Sequence, residues 1–280
     1  MNIAVVGLGL IGASFCKALT VKTGHRIFGI DIQPETVQKA EKLGMIECGI
    51  DSSELKSMDL TIIALYPEDA IRFLMEHTGQ FRRGSIVIDV CGVKAKVVRA
   101  VEPAMMDAGV RYVGAHPMAG REFSGIDYAT ADLYSGASFI LTPTEQTDPA
   151  AVEILSALAL ELGFRKTVVA TPEEHDQVIA YTSQLAHVVS NAYIKSPTLK
   201  QENGFSAGSF KDLTRVAKCN PGMWTSLFLD NRDALLAELD TILLHLTEYR
   251  QALANEDADT LFSLLKDGND RKEWSLFHEE

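Results

Sequence analysis

The sequence has few cysteines and none of the common metal-binding spacings. Four cysteines occur among 280 residues, far apart and without a CxxC pair, and the seven histidines show no HExxH spacing. This pattern argues against a structural zinc site, and it favours reduced thiols in a cytoplasmic protein. We therefore expect no metal.

Long apolar runs and clusters of positive charge are also missing. No apolar stretch approaches the roughly 20 residues of a membrane-spanning helix. The N-terminal stretch MNIAVVGLGLIGASF lacks a basic leader and is rich in glycine, so we interpret it as a strand and turn instead of a signal peptide. The net charge is −12 without any Lys/Arg-rich segment, which argues against nucleic acid as a partner. A small-molecule substrate remains the expected partner.

A glycine-rich motif stands near the N-terminus. The apolar run Ile3–Val6 leads into GLGLIG, and a helical pattern begins at Ala13. This is GxGxxG between a strand and a helix, which is typical of dinucleotide-binding folds. In such a turn the first glycine permits the sharp bend, the second lets the backbone approach a pyrophosphate, and the third allows the helix to pack closely. The cofactor-binding residues predicted here are Gly7, Leu8, Gly9, Leu10, Ile11 and Gly12.

An acidic residue at the end of the next strand favours NAD as the cofactor. The strand pattern Arg26–Ile30 ends at Asp31, which lies 19 residues after Gly12 and close to the usual spacing of about 20 for a ribose-binding carboxylate. A carboxylate accepts hydrogen bonds from ribose hydroxyls and repels an added phosphate, so it disfavours NADP. The alternative is an aspartate that only caps the turn before Pro34.

Strands and helices alternate along the first part of the chain. This alternation predicts an α/β fold, with a Rossmann-type, doubly wound, mostly parallel sheet. Ligands of such sheets bind beyond the carboxyl ends of the strands, so we expect Leu65 and His116 to share one crevice with the glycine turn. The further strand patterns are Asp59–Leu65, Ser85–Val90, Arg111–Ala115, Ser138–Leu141 and Arg165–Ala170, and the helical patterns are Glu68–His77 and Asp148–Leu162.

The pattern becomes purely helical from Thr171, a residue suited to cap a helix that begins at Pro172. We predict a nucleotide-binding domain over residues 1–170 and an all-helical substrate and dimerisation domain over 171–280. A stripe with the 4,3 spacing of a coiled-coil seam favours a homodimer, although core within one subunit is the alternative. The stripe consists of Leu235, Leu239, Ile242, Leu246, Tyr249 and Leu253.

Two histidines are candidates for chemistry. His116 follows a strand at the predicted ligand edge, where an imidazole can accept a proton from a substrate hydroxyl. His187 lies on the first helix of the second half and either faces the substrate or is an ordinary half-buried helix residue. His175, beside Asp176 in a first helical turn, is interpreted as structural. Lys94 is interpreted as a structural or phosphate-side cation.

Three segments resemble the prephenate dehydrogenase family, in the family's order and over essentially the whole chain. GAHPMAGREFSGIDY (residues 114–128) resembles its HPMAG signature, EEHDQVIAYTSQLAHVVSNAY its first helical motif, and GFSAGSFKDLTRVAKCNPGMW its substrate-arginine motif. The resemblance implies NAD-dependent oxidation and decarboxylation of prephenate to 4-hydroxyphenylpyruvate, a step of tyrosine biosynthesis. Some family members act on arogenate instead.

The resemblance also implies roles for single residues. His116 matches the histidine that takes the proton of the ring hydroxyl, and Arg215 matches the arginine that binds a substrate carboxylate. The remaining matches on the substrate side are His187, Glu122 as a gating acid, Asp212, and Trp224, which could equally be an ordinary core tryptophan.

Two positions depart from the family pattern. Gly92 stands where a serine is common that contacts the histidine and the substrate hydroxyl, and Gln184 stands where a histidine is frequent. Water, Cys91 or the nicotinamide side would then have to orient His116. The alternatives are another NAD-dependent enzyme with a helical dimer domain, such as a 3-hydroxyacid dehydrogenase or an imine reductase, and an NAD-binding sensor without catalysis.

Overall fold

A computed structural model describes residues 1–121 and 123–277 of the chain. The strands are β1 Asn2–Val6, β2 Arg26–Ile30, β3 Cys48–Gly49, β4 Leu60–Ile63, β5 Ile86–Asp89, β6 Arg111–Pro117, β7 Ser138–Thr142 and β8 Lys166–Val169. The helices are α1 Leu10–Lys22, α2 Pro34–Lys42, α3 Pro67–Glu76, α4 Ala95–Asp107, α5 Pro149–Leu162, α6 Pro172–Ile179, α7 Ala186–Tyr193, α8 Gly208–Thr214, α9 Pro221–Asp230, α10 Arg232–Ala254 and α11 Ala258–Phe277.

Among the described residues, the eight strands form one sheet in the order β3-β2-β1-β4-β5-β6-β7-β8. The strands from β3 to β6 in that order are parallel, whereas β7 runs antiparallel to β6 and β8 runs parallel to β7. The strand order reverses direction between β1 and β4, so these strands open a crevice at their carboxyl ends. The predicted α/β fold with a mostly parallel sheet is confirmed.

Helices cover both faces of the sheet, and each face has its own apolar core. One core packs α1 and α5 against the sheet, with Phe15 and Leu155 among its buried side chains. The other packs α3 and α4, with Leu74 and Val101 buried. Because both faces are covered, the central strands read as continuous apolar runs, which is why the sequence predicts them well.

Some elements differ from those that the sequence predicted. Strand β3 has two residues, too few for a pattern to indicate. Helix α4 carries Pro103 in its interior, which a sequence pattern takes as a break. Helix α1 begins at Leu10, three residues before the predicted start at Ala13.

The chain becomes helical after β8, as predicted. Thr171 caps α6 by accepting a hydrogen bond from the amide of Glu174, and the Glu174 carboxylate binds the Thr171 amide in return. The residues Ala180–Leu185 then form π-type turns before α7 begins. Wider turns of this kind are frequent at functional sites.

The chain divides into two compact units whose residues contact mainly each other. The first spans Met1–Asn231, and the second begins at Arg232. The first unit holds the whole sheet and α1–α9, and the second is the contacting pair α10 and α11. The domain boundary between residues 170 and 171 stays a prediction. Within the described ranges, none of the helices combines the length and apolar character needed to span a bilayer.

Candidate active site

The glycine turn between β1 and α1 leaves open space beside its second glycine. Gly7 has a φ of +87°, and a Cβ on it would lie 2.5 Å from the Ala64 carbonyl oxygen. A Cβ on Gly12 would lie 1.8 Å from the Gly7 carbonyl oxygen, so a side chain at either position would displace the turn. A Cβ on Gly9, in contrast, meets no heavy atom within 4 Å. This cradle, with the first-turn amides of α1 that have no intrahelical partner, fits a pyrophosphate.

Asp31 ties the glycine turn to the end of β2. Its Oδ2 accepts a hydrogen bond from the Leu8 amide at 2.8 Å, and its Oδ1 accepts one from the Gln33 amide at 2.9 Å. The turn-capping role is thus present. A carboxylate offers about four lone-pair sites, so Asp31, which is half-buried, keeps acceptor capacity for ribose hydroxyls. Its ribose contact stays a prediction.

The apolar residues of the turn contribute chiefly through their backbone. Leu8 and Leu10 are buried in the core, and Ile11 is half-buried. Leu65 follows β4, and its Cδ2 would lie 2.7 Å from a Cβ on Gly7, so it borders the turn at the reversal of strand order. The predicted cofactor residues therefore lie together at one edge of the sheet, in an arrangement that fits NAD.

His116 lies at the carboxyl end of β6, inside the sheet. Its backbone pairs with Ile140 of β7, and its ring is half-buried. Burial, the neighbouring His175 ring and the positive charge of Lys94 lower the pKa of His116 well below its usual value. The imidazole is therefore uncharged near neutral pH, which is the form that can accept a proton.

His116 is hydrogen-bonded to a second histidine that the sequence analysis interpreted as structural. The His116 Nδ1 lies 2.9 Å from Nε2 of His175, whose Nδ1 lies 2.7 Å from Oδ1 of Asp176. Burial lowers the pKa of His175, and its hydrogen bond to Asp176 opposes that shift. The available sequence signal was the adjacent histidine and aspartate of EEHD, one turn into a capped helix. It does not tell which residue the histidine contacts.

A buried ion pair lies next to this histidine pair. Lys94 donates to the Asp89 carboxylate and, at 2.6 Å, to the carbonyl oxygen of Ala115, the residue before His116. The Tyr112 hydroxyl donates to the other Asp89 oxygen at 2.6 Å. The pKa of Tyr112 is raised well above its usual value by burial and the Asp89 charge. Of the two interpretations of Lys94, the structure favours the structural cation, which fixes the end of β6.

Gly92 faces the other nitrogen of the His116 ring. A Cβ on Gly92 would lie 3.9 Å from His116 Nε2 and 3.8 Å from Cδ2 of Leu227 on α9. The Cys91 thiol is directed elsewhere, since it donates to the Leu65 carbonyl oxygen at 3.5 Å, and burial raises its pKa. The expectation that Cys91 could orient His116 is therefore wrong, because His175 holds the ring through Nδ1.

Three of the predicted substrate-side residues, His187, Trp224 and Arg215, lie close together. His187 on α7 is hydrogen-bonded through Nδ1 to the Val216 carbonyl oxygen at 3.0 Å, and its ring centroid lies 3.7 Å from that of Trp224. Burial lowers the pKa of His187, the bond to Val216 opposes this, and the nearby charge of Arg215 adds to the lowering. Arg215 is exposed at the end of α8, and Asp212 is exposed on the same helix. Glu122 lies outside the described residues.

Helix α9 connects this group of residues with Gly92. Trp224, beside His187, and Leu227, beside Gly92, lie three residues apart and thus on neighbouring positions of one helix face. Gln184 is buried, donates to the Leu227 carbonyl oxygen at 3.1 Å, and accepts from the Asn231 side chain at 2.8 Å. Gln184 therefore fastens α9 to the π-type turns Ala180–Leu185.

Comparison with known proteins places this arrangement in one family. The family model described as prephenate dehydrogenase, nucleotide-binding domain, matches residues 15–178, and the one described as prephenate dehydrogenase, dimerization domain, matches residues 171–267. Prephenate dehydrogenase of Bacillus subtilis (strain 168) is 36% identical over 97% of this chain and 75% of its own length.

Solved structures agree with the family models. Prephenate dehydrogenase from Aquifex aeolicus, in complex with hydroxyphenyl propionate and NAD+, is 30% identical with a TM-score of 0.85, covering 98% of this chain and 97% of that one. Synechocystis arogenate dehydrogenase is 31% identical with a TM-score of 0.84, covering 98% and 100%. The chain belongs to the prephenate dehydrogenase family.

Proposed function

We propose that this protein is an NAD-dependent prephenate dehydrogenase that forms 4-hydroxyphenylpyruvate for tyrosine biosynthesis. The observation that carries the proposal is the position of the His116 imidazole, which lies at the same sheet edge as the glycine cradle and is held through Nδ1 by His175. A fixed base beside a nucleotide site is what hydride removal from a hydroxyl-bearing carbon requires. The family membership supplies the substrate class.

The residues of the chain supply a base and an anion site. The glycine cradle and Asp31 would hold NAD, which would supply a hydride acceptor for the ring carbon that carries the hydroxyl. His116 Nε2 accepts the hydroxyl proton as the ring carboxylate leaves as carbon dioxide, and the proton returns to the phenolic oxygen of the product. Because the ring becomes aromatic, the carbon–carbon bond breaks without a further oxidant.

Arg215 is proposed to bind a carboxylate of the substrate. A guanidinium can donate two parallel hydrogen bonds to a carboxylate, and a dianion needs such a group in a protein with a net charge of −12. His187 and Trp224 are proposed to border the same site. The charge of Arg215 lowers the pKa of His187, and the Trp224 ring lies against the His187 ring. Asp212 is proposed to orient nearby cations, and Glu122 is proposed to act as a gating acid, as the resemblance implies.

Arogenate is the second candidate substrate, favoured by the likeness to Synechocystis arogenate dehydrogenase over nearly the whole chain. Arogenate shares the ring hydroxyl and ring carboxylate, so His116 would act in the same way. We further propose a homodimer through the helical part, supported by the dimerization-domain match, and a cytoplasmic location, supported by four free thiols.

The test measures NADH formation with prephenate, with arogenate and with neither. We expect turnover with prephenate. Turnover with arogenate alone would transfer the proposal to the second substrate. If NAD binds and neither compound is oxidised, the protein is a sensor or a different dehydrogenase and the proposal fails.

Two variants separate the roles of the base and the anion site. His116→Asn is expected to lower kcat by about 10²–10⁴-fold, the usual contribution of a general base, with little change in prephenate affinity. Arg215→Ala is expected to raise KM about tenfold to a hundredfold, the equivalent of losing a charged hydrogen bond of about 1.5–3 kcal/mol. Lys218→Ala, which removes an exposed cation nearby, is the matched control and should keep both constants.

A further inference from the structure

We propose that His175 is a positioning residue that selects the tautomer of His116 and leaves its Nε2 free to take the substrate proton. The proposal rests on the function proposed above, and it adds a role for His175, which that function leaves without one. It is built on the hydrogen-bonded series His116–His175–Asp176, which joins β6 to the first turn of α6.

The direction of each hydrogen bond follows from the fixed end of the series. Asp176 accepts the amide of Lys94 at 2.7 Å through Oδ1 and the amide of Ala95 at 2.9 Å through Oδ2. Both oxygens of this carboxylate therefore already accept an amide proton, and a carboxylate oxygen is an acceptor in such bonds. His175 must therefore carry its proton on Nδ1, the nitrogen that faces Asp176.

The tautomer of His175 then determines that of His116. A neutral imidazole has one donor and one acceptor nitrogen, so Nε2 of His175 is an acceptor. His116 must donate to it from Nδ1, which leaves Nε2 of His116 without a proton. That nitrogen faces Gly92, where a Cβ would still find ordinary van der Waals distances. An unrestrained histidine side chain in water favours a proton on Nε2. In that tautomer the Nε2 of His116 could not accept the substrate proton.

The surroundings keep the two rings neutral and in place. His175 is buried, as are its neighbours Lys94 and Asp89, which neutralise each other in an ion pair. Asp176 supplies the negative charge at the far end, where it can partly offset the charge that His116 gains with the proton. His175 touches no reacting atom in this arrangement, so it acts through His116.

The test compares His175→Leu, which cannot accept a hydrogen bond, with His175→Gln, whose side-chain oxygen can. With histidines labelled with ¹⁵N, and His116→Asn used for assignment, wild-type His116 is expected to show a protonated Nδ1 and a bare Nε2. His175→Leu should move His116 toward the Nε2–H form and lower kcat about 10²-fold with KM nearly unchanged. His175→Gln should retain the wild-type tautomer and most of kcat.

A matched control separates positioning from loosening of the helix. Ile179→Ala removes a buried side chain from the same helix and should lower stability while keeping the tautomer and kcat. An Nε2–H tautomer in the wild-type protein overturns the inference, as does a loss of kcat in Ile179→Ala equal to that of His175→Leu. If His175→Leu does not fold, the wild-type spectrum and His175→Gln still decide. A wild-type protein with the expected tautomer but no turnover refutes the proposed function and leaves the tautomer assignment standing.

Discussion

At the scale of single residues, the site depends on where hydrogen-bond donors and acceptors are fixed. Asp89, Lys94 and Asp176 do not exchange a proton in the proposed reaction, but all three are buried. Asp176 is hydrogen-bonded to His175. Lys94 links Asp89 to the carbonyl oxygen of Ala115, the residue before His116. Removing one partner of a buried ion pair such as Lys94–Asp89 typically costs about 3–5 kcal/mol, because the other charge is left without compensation. The base is thus held by groups that a list of catalytic residues would omit.

The glycine cradle gives a prediction that separates cofactor binding from folding. Gly9→Ala should leave thermal unfolding nearly unchanged, since its Cβ meets nothing within 4 Å, but should weaken NAD binding about tenfold or more because the methyl group occupies the pyrophosphate space. Isothermal titration with NAD and a thermal melt measure the two effects.

Gly79→Ala is the control for the cradle, because its Cβ also meets open space but lies far from the turn in sequence, after α3. It should change neither quantity. Unaltered NAD affinity in Gly9→Ala would show that the pyrophosphate does not lie against this turn.

The sequence predicted those parts of the site that are local in the chain. GxGxxG, the acid at the end of β2 and the histidine at the end of β6 each lie within a short segment whose pattern indicates its structure. The His116–His175 contact joins residues 59 positions apart, and nothing in either segment specifies the other. The burial of Lys94 beside Asp89 likewise depends on how α4 packs on β6, which no local pattern encodes.

At the scale of elements, the helical segment from Pro172 to Tyr193 carries His175 and His187, the two histidines of the helical part with a proposed function. Its start was predictable, because a capping threonine, a proline and two acidic residues occur in sequence. Its π-type turns were not predictable, since apolar spacing alone assumes 3.6 residues per turn. One inserted residue rotates the following face by about 100°, so these turns set the direction in which His187 leaves the helix.

Helix α10 gives a prediction about the proposed dimer. Leu246 and Leu253 of the predicted stripe are more than half exposed in the single chain, whereas an apolar stripe of this spacing is normally covered by a partner helix. Leu246→Glu is expected to convert the dimer into a monomer, because burial of an unpaired charge is unfavourable. Size-exclusion chromatography with light scattering measures the mass.

The control for this experiment is Gln251→Glu, which adds the same charge at an exposed position of α10 outside the stripe. It should remain a dimer. A wild-type monomer, or a Leu246→Glu dimer of unchanged stability, would remove the stripe from the interface.

At the scale of the whole molecule, burial of neutral histidines makes stability depend on pH. The pKa values of His116, His175 and His187 are lowered in the folded chain, whereas each returns to about 6.5 on unfolding. Below pH 6.5 the unfolded chain binds more protons than the folded one, so the free energy of unfolding falls as the pH falls. It should be nearly constant above pH 7.

Urea titrations at pH 7.5, 6.5 and 5.5 measure this dependence. We expect the urea concentration at the unfolding midpoint to decrease when the pH is lowered from 6.5 to 5.5. The decrease should be smaller in His175→Gln, which has one histidine of lowered pKa fewer. An equal midpoint at all three values would mean that the histidines titrate normally in the folded protein.

Asp176 has one more consequence, for anyone who wishes to recombine halves of this enzyme with those of a relative. By the predicted boundary between residues 170 and 171, Asp176 falls in the helical domain, but its carboxylate accepts the first amides of α4, which lie in the predicted nucleotide-binding domain. A chimera joined at residue 170 would bring together an α4 and an α6 that were never selected to fit each other. The interchangeable module therefore extends past the strand-to-helix transition, to include the aspartate that fastens both halves.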